Sequence, residues 1–394
     1  MTPSDPPRAG DATPSTLAEV PAAVQDVLAD FFARTRPVAE AVSPAVGDAA
    51  GVVADFVLSG GKRVRPMFAY AGWLCATTVP GTGTAAGAVV VPTAATAADA
   101  LRVCAALELV QACALIHDDI IDHSDTRRGR PTVHRVFERR HAGAGWSGDS
   151  AEHGVAAAVL AGDLALAWAD DLVHGYSVAM APDGGTSRAA RPLPTAAGDI
   201  WAAMRTEVLG GQFLDIVNER SGDESVESAY RVMEFKTAAY TVSRPLQLGA
   251  ALAGASPHLL GTLGSVGHDL GVAFQLRDDL LGVFGDERRT GKPSGDDLVA
   301  GKRTALLAIG LARAAESGPS AAAQLRGLVG RPLTDDELAT ARAILLDVGA
   351  VDDVERRADE LLSRAVATLN AAELDSGVRA DLVALAHRVV HREA

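Results

Sequence analysis

Aromatic residues are scarce in this chain, at 4% of 394 positions, and cysteine is scarcer still, with three. Few aromatics beside abundant alanine and leucine leave little strand-forming material, so propensity points to helix along most of the chain. Cys75, Cys104 and Cys113 are an odd number at spacings that match no zinc pattern. They read as reduced packing residues, as in a cytoplasmic protein. No uninterrupted apolar run of about 18 residues occurs, and the opening MTPSDPPRAGDATPSTLAEV lacks the basic and apolar regions of a signal peptide. The expectation is a soluble, cytoplasmic chain with no stable membrane anchor. Positive charge is also in deficit: 36 Lys and Arg against 50 Asp and Glu give a formal net charge of −14. Nucleic acid and anionic membrane would be repelled at long range, so any anionic ligand must be held by a local basic cluster.

What remains is ordinary globular material, 48% apolar and 22% charged, sufficient for a large core. Residues 1–16, rich in Pro, Ser, Asp and Gly, are read as a disordered tail, and residues 17–394 as one helical domain. Three low-complexity stretches, 77–96, 141–154 and 182–197, are read as loops between helical segments. The segment Asp99–Asp122 is apolar on nearly every face, as a helix buried in a bundle is. Residues 155–173, 200–218, 225–252 and 268–284 have the same character. No period-two run or Asn-Gly hairpin signal argues for strands. Beyond about Arg331 the pattern turns amphipathic, as in an outer helical layer, so the expected fold is all-α.

The sharpest local signal is His117-Asp118-Asp119-Ile120-Ile121-Asp122 at the end of that apolar helix. At about 100° per residue, Asp118 and Asp122 share a face and Asp119 sits beside them. Three like charges repel unless cations neutralise them, and carboxylate oxygens are the hard ligands that Mg²⁺ prefers. A second acidic pair, Asp278-Asp279, again ends a largely apolar helix. Two helices that each offer carboxylates are suited to clamping metal on a diphosphate. Each acidic cluster is followed by cations: Arg127, Arg128 and Arg130 after the first; Lys292, Lys302 and Arg303 after the second. Near the start, Gly60-Gly61 leads into Lys62, Arg63 and Arg65. Glycine admits close backbone approach to phosphate, and Lys and Arg supply charge-assisted hydrogen bonds to its oxygens.

In order, GGKRVRP, HDDIIDHSDTRRGRPTVH, GDLALA, EFKTAAYT and FQLRDDLLGVFGDERRTGKPSGDDLVAGKRT resemble the trans-isoprenyl diphosphate synthase (polyprenyl synthetase) family, and most closely its bacterial geranylgeranyl-type members. The resemblance implies an all-α isoprenyl diphosphate synthase fold, a single large helical bundle around a deep central cavity, usually in a homodimer. It implies a prenyltransferase that condenses isopentenyl diphosphate with an allylic diphosphate by ionisation, condensation and elimination, with Mg²⁺ as cofactor. By position, Lys62, Arg65, Gln111 and Arg128 match the isopentenyl diphosphate site. Asp118, Asp119, Asp122, Asp278 and Asp279 match the metal-holding aspartates, and Arg127, Lys236, Thr237, Gln275, Lys292 and Lys302 match residues that grip the allylic substrate. Lys236 and Lys292 count with the aspartates as catalytic. The family's released pyrophosphate is the expected base. One departure is Gly282, where the second motif usually has its third aspartate; Asp286 is a candidate substitute.

In the family the growing tail runs beside the helix before the first aspartate motif. Four and five residues before Asp118 stand Ala114 and Cys113, both small, so the aromatic floor of common farnesyl synthases is missing. Leu107 and Val110 are candidate lower stops, and a twenty-carbon product is expected, with twenty-five or more as the alternative. Asp170-Asp171 is read as helix surface, Asp296 and Asp297 as solvated loop acids with support of the metal site as the alternative, and Gly210-Gly211-Gln212 with Asp215 as packing and support for the site. His117 is open between a base and a structural hydrogen bond. Two other readings are a class I terpene cyclase, which has no need of Lys62 and Arg65, and a non-catalytic regulatory subunit of a heteromeric prenyl synthase, which would typically lack some of these aspartates.

Overall fold

Short polar side chains set several helix starts. Thr96 and Asp99 form a reciprocal capping box that opens α4 (Ala97–Ile121). The computed structural model describes residues 14–78, 95–175, 192–285 and 294–391. Before α4 come α1 (Val20–Val42), α2 (Pro44–Leu58) and α3 (Val64–Thr77); after it, a two-strand ribbon, β1 (Thr126–Arg127) and β2 (Arg130–Pro131), leads to α5 (Val133–Ala144) and α6 (Ser150–His174). Then follow α7 (Thr195–Ser221), α8 (Val226–Val232), a π-helical segment (Met233–Ser243), α9 (Arg244–Leu252) and α10 (Pro257–Phe284). The chain ends with α11 (Asp296–Ala300), α12 (Ala305–Ser317), α13 (Pro319–Arg326), α14 (Asp335–Asp347), α15 (Ala350–Ala371) and α16 (Ser376–His391). The fold is all-α apart from the short ribbon.

The described residues fall into two compact units, drawn from Met1–Trp201, Pro245–Leu260 and Glu373–Asp381, and from Ala202–Arg244, Gly261–Ala372 and Leu382–Ala394. In the first, α4 packs against α1, α3 and α6. By length and composition α4 could cross a bilayer, but 72% of its apolar window is buried within the protein, as expected for a core helix. Phe31 and Phe32 of α1 meet Trp168 of α6 edge-on, with centroids 6.1 and 6.0 Å away. All three cysteines are buried and free. Residues 14–16 do not behave as tail: Pro14 is buried, and its carbonyl accepts a hydrogen bond from the Tyr70 hydroxyl at 3.2 Å. Residues 1–13 lie outside the described part.

In the second unit, α15 buries Val354, Ala358, Leu362, Ala365 and Leu369 along one stripe. Its charged face reaches α10. Arg364 donates both hydrogen bonds of a bidentate pair to buried Asp269, at 2.7 and 2.5 Å, and Arg277 donates to Asp359 at 2.5 Å. The outer layer therefore holds the helix that bears the second aspartate pair.

Asp353, buried at the start of α15, is gripped by Arg356, by Arg357 at 3.2 Å and by Arg313 at 3.1 Å. Burial pushes its carboxyl pKa upward, but the arginine hydrogen bonds and charges outweigh that, leaving it below the usual aspartate value. A depressed folded-state pKa contributes stability that is present above the unfolded value, about 3.9, and is lost as pH falls through the folded value. Asp353→Asn should therefore lower stability at pH 7 by about 2 kcal/mol. Urea midpoints read between pH 7 and pH 3 should fall less steeply for the variant than for the wild type.

Several segments differ from the sequence expectation. The loop expected over 141–154 is only 145–149, because Asp149 caps α6 through the Ala151 and Glu152 amides. The continuous helix expected over 225–252 contains the π segment. The hairpin carries no alternating pattern, since each arm is two residues long.

Candidate active site

On α4, Leu107, Gln111, Ala114, Asp118 and Asp122 follow helical spacing along one face. Leu107 and Val110 are buried, Gln111 and Ala114 half-buried, and Asp122 caps the helix end. Asp119 is 1% exposed. Its Oδ1 accepts from Arg127 Nε at 2.8 Å, while its Oδ2 is buried with no hydrogen-bond partner. Burial pushes the Asp119 carboxyl upward; Arg127 pulls it down only in part, and Asp118 and Asp122 push it up again. Arg127 also reaches Asp118 Oδ2, at 3.4 Å.

Hard carboxylate donors, one with an unsatisfied buried oxygen, suit a divalent cation. Among the described residues no three His, Cys, Asp or Glu side chains converge to cage a metal unaided. That is compatible with Mg²⁺, which keeps waters and takes phosphate oxygens beside one or two carboxylates.

The hairpin delivers the arginines. Arg127 pairs with Arg130, and the loop residues Arg128 and Gly129 both lie in the left-handed region, at φ 53 and 71, as a two-residue type I′ turn requires. The Thr132 hydroxyl ties the ribbon to the end of α4 by donating to the Ser124 carbonyl at 2.9 Å. Arg128 Nη1 donates to the Gly60 carbonyl at 2.7 Å, and its guanidinium lies against Gly61. The glycine-pair loop and the hairpin thus come together. Burial lowers the Arg128 pKa, and the neighbouring charges of Arg127, Arg63 and Arg65 lower it further. Such crowding of cations calls for an anion. Arg63 itself is structural: it is buried, pairs with Glu108, and donates to Gln25 at 2.8 Å and to the Val57 carbonyl at 2.7 Å. Lys62 is exposed and Arg65 half-buried.

In the second unit, Lys236 and half-buried Thr237 stand on the π segment, a rare element that is frequent at functional sites. One face of α7 holds it. Asp215 accepts from Lys236 Nζ at 2.5 Å, Glu207 accepts from Arg244 Nε at 2.8 Å, and Gly211 lets the backbones meet: a Cβ there would stand 2.3 Å from the Lys236 nitrogen.

Asp279 is fully buried, and its two oxygens are both engaged: Oδ1 accepts from Gln275 Nε2 at 2.9 Å, and Oδ2 from the Ala305 amide at 2.9 Å. Burial, with Asp297 and Asp278 adding to it, pushes its carboxyl up to about 8. Asp279 ties α10 to α12, and Gln275 spends an N–H on it, whereas Asp278 beside it is half-buried. Asp297 is not a solvated loop acid. A Cβ at Gly282 would stand 1.9 Å from Asp297 Oδ2, so the Asp297 carboxylate fills the space a third aspartate of the motif would need. Lys302 is half-buried, and its amide donates to the Asp297 carbonyl at 3.0 Å. Lys292 and Asp286 lie outside the described residues. Asp170 accepts from Trp201 Nε1 at 2.9 Å, in keeping with a structural role.

The polyprenyl synthetase family profile matches residues 49–344. A geranylgeranyl diphosphate synthase of Mycobacterium tuberculosis is 34% identical over 300 residues, 75% of this chain and 74% of that protein. A geranylfarnesyl diphosphate synthase of Aeropyrum pernix is 30% identical over 315 residues, 80% of this chain and 85% of that one. The crystal structure of a Corynebacterium glutamicum geranylgeranyl pyrophosphate synthase, complexed with isoprenyl diphosphate and magnesium, is 44% identical with a TM-score of 0.83, covering 96% of this chain and 99% of that chain. With the all-α fold and the ordered motifs, these matches place the chain in the polyprenyl synthetase family, the trans-prenyl diphosphate synthases.

Proposed function

We propose that this prenyltransferase joins isopentenyl diphosphate to a C5–C15 allylic diphosphate in a Mg²⁺-dependent reaction and releases mainly geranylgeranyl diphosphate. The observation that carries the reading is the adjacency, within one unit, of two opposite electrostatic demands. Asp119 has a buried oxygen lacking any donor, and a few residues on, Arg128 is crowded by like charges. A metal-bound diphosphate answers the first and a free diphosphate the second.

We assign metal-holding roles to Asp118, Asp119 and Asp122 in the first unit and to Asp278 and Asp279 in the second, with Asp297 supporting the latter pair. Mg²⁺ held there would supply positive charge against the departing diphosphate. Arg127, Lys236, Thr237, Gln275, Lys292 and Lys302 bind that group and stabilise its growing charge. Lys62, Arg65, Gln111 and Arg128 orient isopentenyl diphosphate so that its double bond attacks the allylic cation, and pyrophosphate takes the proton. Water must be excluded, because it would trap the cation as an alcohol. Exposed Leu209, Phe213 and Val217, spaced four apart on α7, support a homodimer, and the reduced cysteines a cytoplasmic location.

Purified protein incubated with Mg²⁺, isopentenyl diphosphate and each of the C5, C10 and C15 primers should yield a C20 diphosphate, read as its alcohol after phosphatase treatment, and nothing when EDTA is present. A cyclic hydrocarbon made without isopentenyl diphosphate would favour a terpene cyclase, and inertness with every primer a regulatory subunit. Product length supplies a separate expectation. Ala114 lies about 6 Å along α4 from Asp118, on the same face. Ala114→Phe should place a ring there and shift the main product to C15 or shorter, read by chromatography of the alcohols. An unchanged product would remove Ala114 from the tail's path.

A further inference from the structure

The histidine before the first aspartate and the GDLALA segment have so far had no part in the reaction. They meet. The His117 ring projects from α4 onto α6, where its Nε2 lies 3.1 Å from the Val159 carbonyl. A carbonyl only accepts, so Nε2 carries the hydrogen and donates. Nδ1 is then the acceptor, and the Cys113 thiol, one turn earlier, lies 3.7 Å from it. Burial pushes the Cys113 pKa up to about 12 and keeps the S–H in place. Room for the ring comes from Gly162: a Cβ there would stand 2.2 Å from His117 Nε2 and 2.6 Å from Cδ2. Asp163, 61% exposed and 3.8 Å from Nε2, is too far for a hydrogen bond. With both nitrogens engaged by protein groups, neither is available as a base.

We propose that His117 is a positioning residue: seated in the notch left by Gly162 and donating to the Val159 carbonyl, it fixes the last turn of α4 on α6 and thereby sets the aim of Asp118, Asp119 and Asp122. The proposal rests on the metal-holding role given to those aspartates. Positions 113 and 117 share the face of α4 turned to α6, whereas Asp118 and Asp122 lie on another. The ring therefore acts on the aspartates through helix rotation and register, not through contact with substrate.

The test is the Mg²⁺ half-saturation of the full-length protein, measured both by turnover and by Mg²⁺-dependent melting shift in the presence of a non-ionisable allylic bisphosphonate. Gln places an amide N–H near the Nε2 position and Asn near Nδ1, so the two variants separate the contacts. His117→Gln should stay within about twofold of wild type, while His117→Asn and His117→Ala should raise half-saturation about tenfold in both assays, the usual loss for an outer-shell support. Gly162→Ala should melt lower and also need more Mg²⁺. Adding His117→Ala to it should restore the melting temperature, by removing the clash, but not the Mg²⁺ half-saturation, which a purely structural role would restore too. Asn and Ala variants that fold and titrate like wild type overturn the proposal, as does a Gln variant as impaired as Ala. Should Ala fail to fold, the Gln and Asn pair decides alone. A wild type with no Mg²⁺-dependent melting shift would instead overturn the metal-dependent reading of the site.

Discussion

Asp118→Ala should reduce turnover by at least about 10³-fold while leaving the protein folded. Loss of the positive charge that balances a developing anion typically costs two to three orders of magnitude, and Asp118 belongs to the set that would bring the metal carrying that charge. Stability should change less, because Asp118 stands near the end of α4 and its ion pair with Arg127 is long, at 3.4 Å. Arg127 keeps its shorter bond to Asp119, at 2.7 Å. Asp119→Ala should behave differently: it would leave the Arg127 guanidinium, 19% exposed, without its main partner, and lose stability as well as turnover. Steady-state kinetics at saturating Mg²⁺ together with thermal melts separate the two. Equal melting losses for both variants would contradict the geometry described for Arg127. Near-wild-type turnover of Asp118→Ala would remove the first aspartate motif from the chemistry.

The parts of the site that sequence made legible are those whose logic is local. Asp118, Asp119 and Asp122 lie within one helical turn at the end of an apolar segment, and Arg127 follows within a few residues, so adjacency alone announces the charge problem and its answer. The helical character of α4, α6, α7 and α10 was equally readable from their apolar faces. What sequence concealed depends on distant partners. Arg63 looks like one more phosphate ligand in GGKRVRP, and only Glu108, 45 residues on, makes it a buried structural cation. The π segment has an ordinary helical pattern; it is kept in register from α7 by Glu207, Gly211 and Asp215, among which only Gly211 and Asp215 drew notice, without a stated partner. The Arg128-Gly129 turn was hidden because two-residue strands have no alternation to read. Asp297 passed for a loop acid because the residue that explains it, Gly282, lies on another helix.

That last pair leads to a result opposite to what motif comparison predicts. Gly282→Asp would rebuild the family's DDxxD sequence, yet it should lower kcat/KM on the order of 100-fold, the penalty of displacing groups near the chemistry by about 1 Å. A Cβ at 282 would stand 1.9 Å from Asp297 Oδ2 and 2.6 Å from its Cγ, so the Asp297 side chain has to leave. Its backbone is tied on both sides: the Gly295 amide donates to the Gly282 carbonyl at 3.1 Å, and the Lys302 amide to the Asp297 carbonyl at 3.0 Å. Displacement therefore disturbs the segment that carries Lys302, and the new carboxylate adds charge beside Asp278 and Asp279, where one carboxyl is already hard to ionise. Gly282→Ala should show most of the same loss, since the steric conflict begins at Cβ. The double variant Gly282→Asp/Asp297→Gly should regain most of the activity, because it moves the carboxylate from one backbone to the other without changing the number of charges. If Gly282→Asp alone worked as well as the wild type, Asp297 would have room to move and the two positions would be independent; recovery in the double variant, measured as a kinetic double-mutant cycle, would show that they share one place.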